Sequence, residues 1–211
     1  MLNVGIINIT GYAGAEIARL VYSHPELKLV SATGRSKAGK DLSEVFPHLE
    51  KTDIKIREEL SDNVEFVFSA LPHAASAEKL SQYVDSSIPA IDISADFRLK
   101  DLSTYEDWYD IKHPRPELID QATYGLPEIH RDDIKKSKLV ANPGCFPTGA
   151  ILSMSPAVKN DLIEDMIIID SKTGVSGAGR TAKEAFGFSE LNDNCAAYGT
   201  KGHRHQPEIA Q

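Results

Sequence analysis

The chain has 211 residues, of which 41% are hydrophobic and 26% are charged, and its formal net charge is −8. This composition is typical of a globular protein, and net acidity without a long basic run argues against nucleic acid and membrane surfaces as partners. No segment approaches the roughly 18 consecutive apolar residues of a membrane span, and the short apolar start lacks the charge pattern of a secretory signal.

Apolar runs alternate with helical spacing along the first part of the chain. Strands are predicted over residues 4–9, 27–32, 64–71 and 90–93. Helices are predicted over residues 75–84 and 15–23, the latter with Ile17, Leu20 and Val21 on one face. The run at 64–71 is almost continuously apolar, as expected for a parallel strand that is covered on both faces. This βαβ order predicts an α/β fold with a Rossmann-type, doubly wound parallel sheet.

The pattern changes in the second half of the chain. Residues 97–131 are polar with several aromatics and no regular period, and residues 139–141 are predicted as the last strand of the sheet. A helix over 148–158 and a strand over 166–171 indicate the start of an α+β unit. We therefore expect a nucleotide-binding domain at 1–144 and the start of a second domain at 145–211. So short a segment is small for an independent core, so we expect a missing C-terminal part.

A strand, a tight turn and a helix follow one another at the start of the chain, with Gly5, Asn8, Gly11 and Gly14 spaced three apart. Such a turn brings backbone N–H groups and the positive end of a helix dipole to a pyrophosphate. Asn8 replaces a fingerprint glycine, and asparagine is the best substitute in a left-handed backbone. A plain strand-to-helix turn is an equally good interpretation of the spacing alone. The predicted nucleotide contacts are Thr10, Gly11, Tyr12, Ala13 and Gly14.

The end of the second predicted strand distinguishes between the two nicotinamide cofactors. A carboxylate there binds the ribose hydroxyls of NAD, whereas basic residues accept the 2′-phosphate of NADP. Arg35, Ser36 and Lys37 provide two cations and a hydroxyl, and the turn contains no carboxylate. An arginine can also hold a phosphate with two hydrogen bonds. We therefore favour NADP over the alternative of a solvated basic loop.

Cys145 lies between a predicted strand end and a predicted helix start, in the sequence NPGCFPTG at 142–149. A helix N-terminus stabilises a thiolate, and its N–H groups can bind a developing oxyanion. The alternative is a buried, inert cysteine, but the flanking Pro-Gly and Phe-Pro pairs favour a fixed, exposed corner. Cys195 has no such surroundings and is interpreted as structural. No disulfide is expected, which suits a reducing, cytoplasmic compartment.

A nucleophilic cysteine needs a base or an imidazolium beside it, and His203 and His205 flank Arg204 near the end of the chain. In an extended segment both imidazoles would share one face. Paired histidines are more often surface residues or weak metal ligands, but no matching cluster with zinc spacing is present, so no metal is expected. A second glycine-rich turn at 176–180 suits an anion of the cofactor or the substrate, or is an ordinary loop.

Eight motifs in order resemble the N-acetyl-gamma-glutamyl-phosphate reductase family, which is related to aspartate-semialdehyde dehydrogenase. They are GYAGAE at 11–16, FPHL at 46–49, ALPH at 70–73, DISADFRL at 92–99, YGLPE at 124–128, NPGCFPT at 142–148, SGAGR at 176–180 and HRHQPEI at 203–209. Each motif is weak, but the ordered set is specific. The resemblance implies a Rossmann domain followed by an α+β catalytic and dimerisation domain, and a dimer or tetramer at full length.

The resemblance also implies a reaction and its residues. An acyl phosphate of the arginine pathway would acylate Cys145, and NADPH would reduce the thioester to N-acetyl-glutamate semialdehyde. His203, with His205 as the second candidate, would stabilise the thiolate and move a proton at the carbonyl oxygen. Further residues are expected to hold the cofactor or the substrate. They are Ser176 and Gly177 for the cofactor and Arg98, Asn142 and Arg180 for the substrate.

Two other functions fit the same motifs. The first is a sister enzyme that reduces an aminoadipate-type acyl phosphate carried on a partner protein. The second is a non-catalytic protein that binds a dinucleotide or senses redox state through a thiol, although no resolving cysteine is obviously placed for sensing.

Overall fold

The computed structural model describes residues 1–49, 53–163 and 166–211. The chain divides into two compact units, Met1–Gly144 and Cys145–Gln211. The first unit consists of a sheet with helices on its faces, and the second consists of helices and turns.

The first unit is built on a sheet whose described strands are all parallel. The order across the seven described strands is β3-β2-β1-β4-β5-β7-β6. The strands are Leu2–Ile7 (β1), Leu27–Thr33 (β2), Ile56–Arg57 (β3), Phe66–Ser69 (β4), Ala90–Asp92 (β5), Ala122–Tyr124 (β6) and Leu139–Ala141 (β7). Because the chain builds outward from β1 first to β2 and then to β4, the strand order reverses between β1 and β4. Ligands of doubly wound sheets bind at such a switch point, beyond the carboxyl ends of the strands.

Helices connect the strands of this sheet. Those of the first unit are Tyr12–Ser23 (α1), Leu42–Val45 (α2), Ala75–Asp85 (α3), Leu102–Tyr109 (α4) and Pro127–Ile134 (α5). The predicted helices at 15–23 and 75–84 are confirmed, and α1 begins three residues earlier than predicted. One predicted core residue of α1 is wrong: Leu20 is exposed, and the buried side is formed by small residues and Val21.

The fold class is confirmed by two apolar clusters on opposite faces of the sheet. Successive strand residues point to opposite faces, so Ile6 of β1 belongs to one cluster and Ile7 to the other. The first face packs against α1 through Ala18 and Val21, and the other against α3 through Leu80. A parallel sheet buries both faces in this way, which explains the apolar runs of the sequence.

The predicted strands of the first unit are confirmed in position, but several differ in extent. The predicted strand at 64–71 is limited to β4, and the predicted strand at 4–9 ends at Ile7 because Asn8 turns the backbone. The sequence pattern assigns no helix or strand to the polar stretch 97–131, and the structure differs. It contains α4, β6 and most of α5, whose short elements carry no readable period.

A buried carboxylate lies at the carboxyl end of β5. Asp92 accepts hydrogen bonds from the Ser76 hydroxyl at 2.6 Å and from the backbone N–H and hydroxyl of Ser94 at 2.9 and 2.6 Å. Burial raises the pKa of Asp92 to about 6, although these hydrogen bonds oppose the rise. The edge of the sheet that would face a ligand is therefore supported by a buried, fully hydrogen-bonded acid.

A second buried carboxylate fixes the start of α3. Asp96 accepts hydrogen bonds from the backbone N–H groups of Ala74 at 2.7 Å and Ala77 at 2.8 Å. The Tyr105 hydroxyl of α4 donates to the same carboxylate at 2.8 Å. The negative charge stabilises N–H groups that a helix N-terminus leaves unpaired. The DISAD segment is thus mainly a structural support for this edge.

The second unit contains the helices Cys145–Lys159 (α6), Phe188–Leu191 (α7) and Gln206–Ala210 (α8). The predicted helix at 148–158 is confirmed and extended at its start. The predicted strand at 166–171 is wrong, because the described residues of this unit include no strand beside which it could pair. Its apolar residues are exposed: Met166, Ile167, Ile168 and Ile169.

Candidate active site

The turn after β1 has the geometry of a phosphate-binding loop. Asn8 adopts a left-handed backbone with φ of 61°, as its place in the motif predicts. A side chain at Gly14 would place its Cβ only 2.5 Å from the Asn8 carbonyl oxygen. Glycine at position 14 therefore allows the first turn of α1 to pack directly against the loop, which is one of the recognised roles of these glycines.

The N-terminus of α1 is suited to an anion. Gly11 caps this 12-residue helix, no side chain hydrogen-bonds to the cap, and the first turn contains no acidic residue. A Cβ at Gly11 would meet only the Asn8 amide, at 3.9 Å. The first N–H groups of a helix have no partner within it. The open backbone, the uncapped helix and a first turn without an acidic residue fit the pyrophosphate of a dinucleotide.

The basic turn after β2 lies beside this loop. Arg35–Lys37 forms a short 3-10 helix, in which Arg35 and Ser36 are exposed and Lys37 is half-buried. A Cβ at Gly34 would approach the Thr10 methyl group to 2.6 Å, so glycine allows the two turns to touch. The structure therefore brings the predicted phosphate loop and the predicted 2′-phosphate residues together at one edge of the sheet.

Arg98 is buried and donates hydrogen bonds to backbone carbonyls that directly follow β5 and β7. Its Nε donates to the Asn142 carbonyl at 2.8 Å, and its Nη2 donates to the Ile93 carbonyl at 2.7 Å. The backbone N–H of Asn142 donates to the Asp92 carbonyl at 2.8 Å. Arg98 thus holds the backbone that leads from β7 to the cysteine. Of the predicted substrate residues, Arg98 and Asn142 lie close together, and both stabilise the backbone at this edge of the sheet.

The cysteine predicted as the nucleophile is the first residue of α6 and is exposed. The prediction of an exposed corner between strand and helix is confirmed. Cys195 is also exposed, in a segment without regular structure, which does not support its interpretation as a structural cysteine. Cys145 therefore lies among the first N–H groups of a 15-residue helix, which have no partner within that helix.

The two histidines pack beside the start of α6. Their ring centroids are 4.7 Å apart, and both rings contact Phe146, at 5.3 Å for His203 and 5.7 Å for His205. The segment that carries the two histidines is a turn that leads into α8. This turn brings the two imidazoles together, whereas the sequence suggested an extended backbone. The second unit therefore places both predicted histidines next to the residue that follows Cys145.

Tyr198 completes this cluster and was not predicted. Its ring lies 5.5 Å from His203 and 6.3 Å from Phe146. Burial raises the pKa of its hydroxyl, and the charge of Cys145 adds to the rise. Gly199, with φ of 64°, turns the chain back after Tyr198. The glycines at 199 and 202 were the available signal that Tyr198 and His203 meet.

The state of His203 follows from its surroundings. Burial lowers its pKa below the ordinary value, and the neighbouring charge of Arg204 lowers it further. The imidazole is therefore neutral near pH 7 and is able to accept a proton. A neutral base beside a helix N-terminus is the arrangement that activates a thiol nucleophile.

The second glycine-rich turn is exposed. Val175–Ala178 forms a short 3-10 helix, and Gly179 follows it with φ of 87°. Ser176, Gly177 and Arg180 all lie on the surface of the second unit. The structure confirms a turn at this position but does not test its predicted contact with cofactor or substrate.

Over residues 1–49, 53–163 and 166–211, no group of three or more histidine, cysteine, aspartate and glutamate side chains is arranged to hold a metal ion. In the same ranges no helix combines the length and the apolar character that crossing a membrane requires.

Comparison with protein families matches both units. Residues 3–137 match the family description "Semialdehyde dehydrogenase, NAD binding domain", and residues 145–211 match "Semialdehyde dehydrogenase, dimerisation domain". The first match covers well over half of the chain. The prediction that the first part of the chain binds a nicotinamide dinucleotide agrees with this family.

Several curated relatives carry the name N-acetyl-gamma-glutamyl-phosphate reductase. The protein from Dehalococcoides mccartyi is 53% identical over 207 residues, which are 98% of this chain and 61% of that relative. The protein from Lachnoclostridium phytofermentans is 46% identical and covers 100% of this chain and 63% of its own length. The protein from Methanosphaera stadtmanae is 45% identical, with coverage of 100% and 61%. This chain thus spans about three fifths of the length of the relatives it matches.

Solved structures agree at the level of the fold. Aspartate semialdehyde dehydrogenase II from Vibrio cholerae superposes with a TM-score of 0.56 at 15% identity, covering 76% of this chain and 43% of that chain. The aspartate semialdehyde dehydrogenase of Candida albicans, solved with NADP, gives a TM-score of 0.50 at 17% identity, covering 77% and 48%.

Proposed function

The chain belongs to the semialdehyde dehydrogenase family, and from that premise we propose that it provides the cofactor domain and the nucleophile of an NADPH-dependent N-acetyl-gamma-glutamyl-phosphate reductase. One observation carries the proposal. Cys145 is exposed at the N-terminus of α6, and the next residue, Phe146, packs against the rings of Tyr198, His203 and His205. The names of relatives at 43% to 53% identity supply the substrate class.

Acylation of the enzyme is the first step. His203, neutral near pH 7, accepts the proton of the Cys145 thiol. The thiolate attacks the acyl carbon, a sulfur–carbon bond forms, and the bond from that carbon to the phosphate oxygen breaks. Inorganic phosphate leaves with its electron pair. The N–H groups at the start of α6 stabilise the oxyanion that develops during the attack.

Reduction and release follow on the same sulfur. NADPH, held by the phosphate loop and the basic turn of the first unit, would supply a hydride for the thioester carbon. Protonated His203 gives its proton to the carbonyl oxygen, which produces a thiohemiacetal on Cys145. The carbon–sulfur bond then breaks as His203 takes back the hydroxyl proton, and the semialdehyde leaves. One acyl phosphate, one NADPH and one proton are consumed, and the thiolate is restored.

The residues of the first unit suit the phosphorylated nicotinamide cofactor. The N-terminus of α1, with residues 10–14, would hold the pyrophosphate. Arg35, Ser36 and Lys37 would hold the 2′-phosphate, because they follow β2 and lie beside Thr10. A carboxylate in the turn at 33–37 would favour NAD, and the sequence has none there.

The candidate substrate residues come from both units of the chain. Arg98 and Asn142 lie at the carboxyl end of the sheet, and Arg180, with Ser176 and Gly177, lies in the exposed turn of the second unit. Arginines suit the phosphate and carboxylate of an acyl phosphate substrate. We propose that Arg98 acts chiefly by holding the Asn142 carbonyl, and that Arg180 provides a charge for a substrate anion.

We also propose an oligomeric state and a cellular compartment for this protein. The match of residues 145–211 to a dimerisation domain supports a homo-oligomer. Two exposed free cysteines suit a reducing compartment, and we propose the cytoplasm.

The reaction run in reverse tests this function. Purified protein is incubated with N-acetyl-glutamate semialdehyde, NADP and inorganic phosphate, and the appearance of NADPH is followed. We expect NADPH formation that needs phosphate and disappears in the C145S variant. An aminoadipate-type semialdehyde tested in parallel identifies the sister enzyme if it is preferred. Binding of NADPH without any phosphate-dependent turnover would contradict the enzyme and favour a non-catalytic nucleotide-binding protein.

A further inference from the structure

A crevice lies between the carboxyl ends of β1 and β4, where the strand order reverses. Ile7 pairs with Ser69 at the end of these strands, and the Ala70 N–H donates to the Ile7 carbonyl at 3.0 Å. A regular parallel ladder would continue with a bond from the Ile9 N–H to the Ala70 carbonyl. The Ile9 N–H instead donates to the Thr33 carbonyl of β2 at 2.9 Å.

Asn8 causes this change of partner. Its left-handed backbone, with φ of 61°, turns the chain toward β2 and ends the pairing with β4. Its backbone N–H lies 3.3 Å from the Thr33 hydroxyl, on the same side. The backbone of the phosphate loop is thus bonded to β2, while the ends of β1 and β4 lose a backbone link at the place where a dinucleotide would enter.

The side chain of Asn8 restores that link. Its Nδ2 donates to the Ala70 carbonyl at 2.8 Å, across 62 residues of sequence, and the bond is half-buried. A glycine adopts the same backbone at less cost but has no donor. We propose that Asn8 is a positioning residue for the cofactor: it replaces the fingerprint glycine and uses its amide to fix the phosphate loop to the end of β4.

The segment that this bond reaches gives it a role beyond local stability. Ala70 begins the ALPH segment, which leads into α3, and Asp96 fixes the start of that helix through the N–H groups of Ala74 and Ala77. Asn8 therefore joins the phosphate loop to a segment held from its other end. Both sides of the crevice are fixed before a ligand arrives, which lowers the entropy lost on binding.

The inference rests on the proposed NADPH binding, and the N8G variant tests it. Glycine keeps the left-handed backbone and removes only the amide. We expect the Kd for NADPH, measured by fluorescence titration, to rise about fivefold, as the loss of one ordinary hydrogen bond implies. In a turnover assay the KM for NADPH should rise and kcat should stay unchanged. Hydrogen exchange of the ligand-free protein should become faster in both 8–15 and 70–75.

A matched control uses another residue with a left-handed backbone. Ser87 has φ of 62° and precedes β5, at the opposite edge of the sheet. The S87G variant should leave the NADPH affinity and the hydrogen exchange of residues 8–15 and 70–75 unchanged. It therefore controls for the general effect of adding a glycine. The N8A variant loses the amide and also strains the backbone, so its Kd should exceed that of N8G.

The outcomes separate the two proposals. If the wild-type protein does not bind NADPH, the proposed function is overturned and this inference with it. If the wild type binds NADPH and N8G binds it equally or more tightly, this inference alone is overturned, whatever the exchange shows. Weaker binding by N8G, with faster exchange on both sides of the crevice and an unchanged Ser87 control, supports it.

Discussion

The two units of the chain hold their functional residues by different means. In the first unit the phosphate loop is fixed by a sheet with an apolar cluster on each face. In the second unit the apolar core includes Ala150 but few other side chains, and many large apolar residues are exposed. Cys145 and the histidines are arranged by the start of α6 and a small ring cluster. Nucleotide geometry thus depends on the global fold, and nucleophile geometry depends on local contacts.

This difference predicts separable functions. A change in the second unit should alter chemistry without altering nucleotide affinity, and a change in the turns of the first unit should do the opposite.

Removal of the sulfur should have the largest effect. The C145S variant should lose turnover by at least about 10³-fold, because a serine hydroxyl is a poor nucleophile without a strong base. Its Kd for NADPH should equal that of the wild type. The C195S variant is the matched control, since Cys195 is also exposed, and it should retain activity. Appreciable turnover by C145S would show that another residue is the nucleophile.

Removal of the base should have the next largest effect. The H203N variant should lose about 10²-fold in kcat/KM, the usual contribution of a general acid–base, and H205N should lose less. Since the pKa of His203 is lowered by burial and by Arg204, activity should fall with decreasing pH only below about 6.5. A pH–rate profile of kcat/KM checks this. A fall that begins well above that value would rule out His203 as the base.

Loss of the basic turn should affect the nucleotide and leave the chemistry intact. The R35A/K37A double variant should bind NADPH about 10-fold more weakly, through loss of charge-assisted hydrogen bonds, and should bind NADH with unchanged affinity. K40A removes an exposed cation three residues beyond Lys37 and serves as the control. Equal weakening for NADH and NADPH would place the 2′-phosphate elsewhere.

The smallest effect concerns the stability of the first unit. Burial raises the pKa of Asp92 from 3.8 to about 6, so the folded protein holds a proton that the unfolded chain has released. The contribution of Asp92 to the free energy of unfolding is therefore greatest below pH 3.8 and is lost as the pH rises through 6. Between pH 5 and pH 7 the free energy of unfolding should fall by about 1 kcal/mol. Urea unfolding at both pH values should show this loss in the wild type. If D92N shows the same loss, another group is responsible.

The sequence predicts the first unit better than the second, for reasons that the structure makes plain. Apolar runs reveal β1, β2 and β7, and the fingerprint spacing reveals the turn at Asn8 with its left-handed backbone. β3 and β6 are too short to show a period. The apolar run at 166–171 resembles a strand, but a strand forms only beside another, and sequence periodicity does not report partners.

Within the candidate site, the sequence predicts which residue types take part but not which contacts they make. Cys145, His203 and His205 follow from chemistry and motif, and the structure places both histidines beside Phe146. Tyr198 was missed because the glycines at 199 and 202 indicate a turn but do not show which side chains the turn brings together. The bond from Asn8 to Ala70 spans 62 residues and belongs to the sheet order, which the sequence gives only in outline.

The central claim is that Cys145 carries the acyl group during the reaction. The most direct test is mass spectrometry of the protein after incubation with N-acetyl-gamma-glutamyl phosphate in the absence of NADPH. The account predicts an added N-acetyl-glutamyl group on the peptide that contains Cys145, which disappears when NADPH is added and is absent from C145S. An acyl group on Cys195 or another residue, or no adduct in a protein that turns over, would contradict it.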